Sequence, residues 1–219
     1  MKRPSKSGAK TRQSGSGRGA KASYHHGDLR PALVSAAAGL LEDAGSGGVS
    51  LREVARRCGV SQAAPYRHFA SREALLAAVA TEAFREFARV LSAHADETPD
   101  PLARLKALGR GYVAFAMEHP ETFRLMFGPE CAQAADDELK QAAHASYALL
   151  ADTVAACVAD PGRSSLDRAT MTIGSWALMH GLARLTIDMP GDPIDLADMD
   201  PATRVARVID AFVDGLLRL

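Results

Sequence analysis

From Leu29 onward, apolar residues return at intervals of three and four, and no stretch alternates convincingly with period two. That spacing places one apolar stripe along each segment of a helix and leaves no candidate strand. Leu29, Leu33, Ala36, Ala37, Leu40 and Leu41 make the first stripe, with Asp28 as its expected N-cap and Gly45, Gly47 and Gly48 as its end. Ser50-Leu51-Arg52-Glu53 has the Ser-x-x-Glu form of a capping box and opens a second helix with Leu51, Val54, Ala55 and Cys58 inward. Gly59 stops it in the left-handed conformation. A third short helix is predicted from Ser61 to about Phe69. A fourth and longer one is capped by Ser71 and carries Leu75, Leu76, Val79, Phe84 and Phe87. The remainder divides at prolines and glycines into helices predicted over 101–118, 120–127, 133–159, 165–189 and 201–218. The chain reads as all-α with about nine helices. A content of 47% hydrophobic but only 5% aromatic residues agrees, since a β-sandwich would ask for more β-branched and aromatic side chains.

Charge divides the chain where composition does not. Residues 1–72 hold 13 Lys/Arg against 4 Asp/Glu, and residues 73–219 hold 13 against 22, although the whole sums to zero. A polyanion is drawn to the first part and repelled by the second. Residues 1–24 are expected to be a disordered basic tail. Its first 23 residues include seven Lys/Arg, no acid and nothing large to bury. The tail is either a flexible lead-in or an arm lying along a DNA groove. The expected organisation is then a helix-turn-helix unit at 25–88 and a C-terminal helical unit at 89–219.

Other chemistries find little footing. Cys58, Cys131 and Cys157 are far apart and odd in number, which reads as buried thiols rather than a disulfide set. His25 and His26 have no third ligand in sight, so neither metal nor cofactor is expected. Gly-x-Ser-x-Gly, the phosphate loop ending in Gly-Lys-Ser/Thr and His-Glu-x-x-His are all missing, and no enzyme is expected. With no apolar run near 18 residues and no signal peptide, no membrane partner is expected and the expected location is the cytoplasm.

The informative stretch is 50–69. Two short helices separated by Cys58-Gly59-Val60 form a helix-turn-helix candidate, with Gly59 supplying a positive φ and Ala55 and Val60 the small contacts. In that geometry the second helix enters the major groove while the first crosses the backbone, so Ser61 to His68 would face DNA. Arg52, Arg56, Arg57, Arg67 and Arg72 surround the motif, and Glu53 is the only acid inside it.

At these residues the chain resembles a known family. Tyr24-His25-His26-Gly27-Asp28-Leu29-Arg30, Val49-Ser50-Leu51-Arg52-Glu53-Val54-Ala55 and the run from Val60 to Leu76 (VSQAAPYRHFASREALL) are similar to the DNA-binding domain of tetracycline-repressor (TetR) regulators. Trp176-Ala177-Leu178-Met179-His180-Gly181-Leu182, with His119-Pro120-Glu121 and Phe123-Arg124-Leu125-Met126-Phe127, resembles a C-terminal subgroup with a Trp-His-Gly signature. The resemblance implies a homodimeric transcriptional regulator, expected to be a repressor, on a pseudo-palindromic double-stranded operator. It also implies a C-terminal domain for ligand binding and dimerisation, with release by an apolar small molecule.

Carried over by position, Ser50 and Arg52 anchor the first motif helix, while Gln62, Ala63 and Ala64 lie where base edges are read. Tyr66 and His68 match backbone contacts, Ser61 and Arg67 belong to the same DNA-facing stretch, and Arg72 stands where the family usually has a phosphate-holding Lys. Two departures occur: Ala64 replaces a hydroxyl residue and Pro65 a Leu. Pro65 removes a backbone donor, so the reading helix is expected to be irregular at its start. The alanines suit thymine methyls and Gln62 suits adenine.

In the second half, Tyr112, Phe115, Phe123, Met126, Phe127, Tyr147, Trp176, Met179 and His180 are the expected walls of an apolar cavity. Taken singly, such residues are more often plain core, and His180 reads also as a satisfied interface histidine. The dimer face is expected on the last two long helices. Ile173, Trp176, Ala177, His180 and Arg184 would supply it from the first, and Val205, Ile209, Phe212, Val213 and Leu216 from the second. A body that only dimerises or binds a partner protein is the alternative.

Overall fold

The structure, a computed structural model, describes residues 29–95, 98–134, 136–159, 167–189 and 199–216. The expected tail, Asp28 and the His25-His26 pair lie outside the described residues, as does the side chain of Leu216. Among the described residues there are nine α-helices and no strand. They are α1 (Leu29–Ala44), α2 (Leu51–Arg57), α3 (Arg72–Ala95), α4 (Pro101–Glu118), α5 (Pro120–Met126), α6 (Pro129–Ala134), α7 (Asp137–Val158), α8 (Arg168–Asp188) and α9 (Pro201–Leu216). Two 3-10 turns, Ser46–Gly48 and Pro65–Arg67, complete them.

Four of the prolines that break the pattern are helix starts. Pro101, Pro120, Pro129 and Pro201 each occupy the first position of a helix, where the missing N–H has no partner to lose. Aspartates do most of the capping. Asp100, Asp136, Asp167 and Asp200 accept from the backbone N–H of Ala103, Leu139, Thr170 and Thr203 at 2.8–3.0 Å. Ser71 caps α3 as expected, accepting from Ala74 N–H at 3.2 Å.

Three expectations change. The helix predicted from Ser61 to Phe69 is a turn followed by the 3-10 segment Pro65–Arg67. The segment predicted as one helix over 133–159 is α7, preceded by the separate short α6. The boundary placed at residue 88 falls inside α3, which runs unbroken from the DNA-binding unit into the body.

The core follows from that shared helix. α3 packs against α4 and α7, and α4 packs in turn against α8 and α9. Phe87 is the hub of the aromatic packing, with ring centroids 5.0 Å from both Tyr112 and Phe115. Gly109 lets α4 approach α8 and α9, since a Cβ there would lie 3.1 Å from the Met179 methyl and 3.2 Å from Ile209. The inner stripe of α9, Val205, Ile209 and Val213, is buried in the protomer, and the Lys106–Asp214 and Arg110–Asp210 pairs flank it. No helix of the described residues is long and apolar enough to cross a membrane.

Candidate DNA interface and apolar cavity

The helix-turn-helix is built by short-range chemistry. The Ser50 hydroxyl accepts from Glu53 N–H at 3.1 Å, which caps α2. The Glu53 carboxylate does not return to the cap as a full box requires. It turns to Arg56, and that bond holds it below the usual carboxylate range. Gly59 takes φ +67°, as its place in the turn demands.

Beyond the turn, Pro65 decides the conformation. Without an N–H it cannot donate to Ser61, and the bonds that form are mainly of the tighter i→i+3 kind. Ala64 donates to Ser61, Arg67 to Ala64 and His68 to Pro65, at 2.9–3.2 Å. Pro65 and Phe69 are buried, the 3-10 segment packs on α2, and the Arg30 guanidinium of α1 covers the Phe69 ring at 5.3 Å.

Ser61, Gln62, Ala63, Tyr66, Arg67 and His68 all face outward, with Tyr66 54% exposed, and Ala64 is half-buried beneath them. Ser50 and Arg52 are exposed on the adjoining edge of α2. Every side chain expected to meet DNA from the turn is therefore on one accessible ridge, apart from Ala64. A hydroxyl, an imidazole and a guanidinium on such a ridge can all donate to phosphate oxygens.

The five arginines are not equivalent. Arg56 pairs with Glu53 and Arg57 with Asp43. Arg72 turns inward, its Nε donating to the Val49 carbonyl at 3.0 Å and its Nη2 to the Ser46 carbonyl. Among the described residues Arg52 and Arg67 form no ion pair, and they are the cations the ridge presents.

The body holds a partly open cavity of about 370 Å³, within the small-molecule range. Its walls are Phe84, Phe87 and Leu91 of α3, Leu108 and Tyr112 of α4, Phe127, then Ala143, His144, Ser146, Tyr147 and Leu150 of α7, with Trp176 and Met179 of α8. Of the nine residues expected there, Tyr112, Phe127, Tyr147, Trp176 and Met179 line it. Phe123 is fully buried core, while Phe115 faces a groove near α1 and Met126 a smaller hollow under α6. His180 stands behind the wall. Its Nδ1 meets the Tyr112 hydroxyl at 2.9 Å and its ring stacks on Phe123 at 5.5 Å, so it braces α8 against α4 and α5. Burial pushes the Tyr112 phenol above its ordinary range, and burial with the nearby Arg184 charge lowers His180.

The apolar stripe of α3 reads in the sequence as core of the DNA-binding unit, which hides its part in the cavity wall. The signal that pointed to it was the stripe's continuation past Phe87 to Leu91.

The dimer face also sorts itself. Ile173 (61% exposed), Trp176 (41%) and Ala177 lie outward on α8, joined by Leu185 (59%), which the sequence reading had not named. His180, Arg184 and Phe212 are half-buried. Val205, Ile209 and Val213, expected at the interface, instead cover α4. Among the described side chains of α9, the large apolar residue left exposed is Val208.

A basic helix-turn-helix ridge joined through one helix to a body holding an apolar cavity defines a DNA-binding regulator with an attached helical domain. Family comparison agrees. Residues 33–79 match the bacterial regulatory proteins of the tetR family, and residues 105–216 match the tetracyclin repressor-like C-terminal domain. The chain belongs to the tetR family of DNA-binding transcriptional regulators, whose members are not enzymes. The C-terminal match does not single out the Trp-His-Gly subgroup.

A protein of unknown function from Rhodococcus sp. RHA1 is 35% identical with a TM-score of 0.77, covering 89% of this chain and 98% of its own. A tetR-family regulatory protein from Rhodococcus RHA1 shares the fold at 17% identity and TM-score 0.66, covering 85% and 96%. The fatty acid degradation regulator FadR from Bacillus halodurans does so at 16% and 0.67, covering 89% and 98%. No protein of curated function matches the sequence.

Proposed function

We propose that the protein is a homodimeric cytoplasmic repressor that holds a pseudo-palindromic operator and releases it when an apolar small molecule occupies the body. The observation that carries this reading is the cavity itself. Its lining is almost wholly apolar, and Phe84, Phe87 and Leu91 in its wall belong to the helix that starts three residues after Phe69, at the end of the reading turn. An occupant that shifts α3 shifts that turn.

One reading segment with few base contacts binds weakly, and two half-sites multiply the contacts, so the exposed apolar face of α8 fits a second copy. A differential of about 3 kcal/mol between the two spacings would change operator affinity roughly 150-fold. Operator duplexes selected from random DNA, titrated by gel shift with and without cavity-binding compounds, test this. Release on cavity occupancy is the expected result, and unaltered binding by a saturated protein opposes it.

A further inference from the structure

Glu130, the second residue of α6, touches the DNA-binding unit. Its carboxylate accepts from the Ser46 hydroxyl at 3.3 Å and lies 3.5 Å from Arg72 Nη1. Arg72 in turn donates to the carbonyls of Ser46 and Val49, and Val49 directly precedes Ser50, the cap of α2. On its other side Glu130 adjoins Cys131, which walls a hollow of about 210 Å³. Phe84 and Phe127 wall that hollow and the main cavity alike. Phe127, which both spaces share, and the six-residue α6 thus lie between the cavity and the backbone that starts the helix-turn-helix.

We infer that Glu130 is the positioning residue through which occupancy of the cavity is passed to the DNA-reading unit, and that Arg72 is its relay rather than a phosphate ligand. This rests on the sensor reading above. The physical argument is one of geometry. A guanidinium is a rigid planar fork, and this one is shared among two carbonyls and a carboxylate, so moving the carboxylate redirects all of its bonds. An occupant pressing on Phe84 and Phe127 closes the hollow under α6 and displaces Glu130. The Ser46–Val49 turn, which sets the entry of α2, then loses the group that fixes it. The pair is partly exposed, and exposed pairs are individually weak, so this route carries a several-fold part of the coupling rather than all of it.

The test uses the full chain, a selected operator duplex and N-phenyl-1-naphthylamine as an apolar probe. Trp176 is the only tryptophan and lines the cavity, so its quenching reports the probe's binding. Operator affinity is measured by anisotropy with and without saturating probe. In Glu130→Ala and Glu130→Gln the ratio of the two affinities is expected to fall at least threefold toward one, while probe affinity stays within about twofold of wild type. Glu130→Asp is expected to restore part of it. Glu42 also bridges the units, accepting from the N–H groups of Glu121 and Thr122, and Glu42→Gln serves as the comparison variant. A wild-type ratio retained in both Glu130 variants overturns the inference and leaves the sensor reading standing. So does loss of the ratio in Glu42→Gln alone. Probe that saturates wild type without altering operator affinity overturns both.

Discussion

Arg67 and Arg72 are both basic residues beside the reading turn, yet their surroundings give them different work. Arg67 is exposed on the ridge, while Arg72 is tied to the carbonyls of Ser46 and Val49. Arg67→Ala is expected to weaken binding to all duplexes alike and to flatten the salt dependence by about one unit. Arg72→Ala should weaken operator binding with the slope unchanged, because no phosphate contact is lost. Affinity against salt concentration for both variants checks the contrast, and an equal flattening in both would return Arg72 to the phosphate role.

His180 offers a second check at this scale. Its folded-state affinity for a proton is lowered by burial and by Arg184, so the unfolded chain binds the proton more readily. Stability from this group is present above the ordinary histidine range near pH 6.5 and is lost as the pH falls through it. Thermal melts at pH 7.5 and 5.5 should differ less in His180→Asn than in wild type. An identical pH dependence in the two proteins would show that the Tyr112–His180 contact is not the sensitive one.

At the scale of elements, the glycine turn and the proline after it can be tested separately. Gly59→Ala forces an L side chain to φ +67° and should cost about 1–2 kcal/mol of stability, read as a lower unfolding midpoint. Pro65→Ala restores the donor to Ser61 and should extend the 3-10 segment into α-helix, changing which base positions a selection recovers. Recovery of the wild-type site by this variant would mean that the irregular backbone takes no part in readout.

What was legible in the sequence and what was not divides along physical lines. Caps, the glycine turn and proline starts are local, and they placed most helices to within a few residues. The third helix was misread because apolar spacing is blind to a missing N–H, even where Pro65 was noticed. The stripe of α9 was assigned to a partner because an amphipathic pattern shows that a face is covered and is silent about what covers it. Val205, Ile209 and Val213 meet α4 of their own chain. For the same reason five of nine cavity residues were found in advance while Phe123 proved to be core.

For the molecule as a whole, the outward apolar residues of α8 are the part of the surface that a second copy would cover. Ile173→Asp should leave the fold intact, since Ile173 is 61% exposed in the protomer, and should shift the protein from dimer to monomer by light scattering. Operator affinity should fall with it. A variant that remains dimeric would place the twofold contact on another face. The charge split belongs to this scale too: the basic part of the chain carries the ridge, and the acidic remainder keeps the body off the polyanion.

The ridge from Ser50 to His68 meeting duplex phosphates is the claim on which the rest stands. Anisotropy of labelled random and genomic duplexes, titrated with purified protein at about 50 mM salt and again at about 200 mM, measures it directly. The account predicts binding at the lower salt that weakens steeply at the higher, and that Tyr66→Phe with Arg67→Ala sharply reduces. Duplexes left free at both salts, or bound equally well by that double variant, would contradict it.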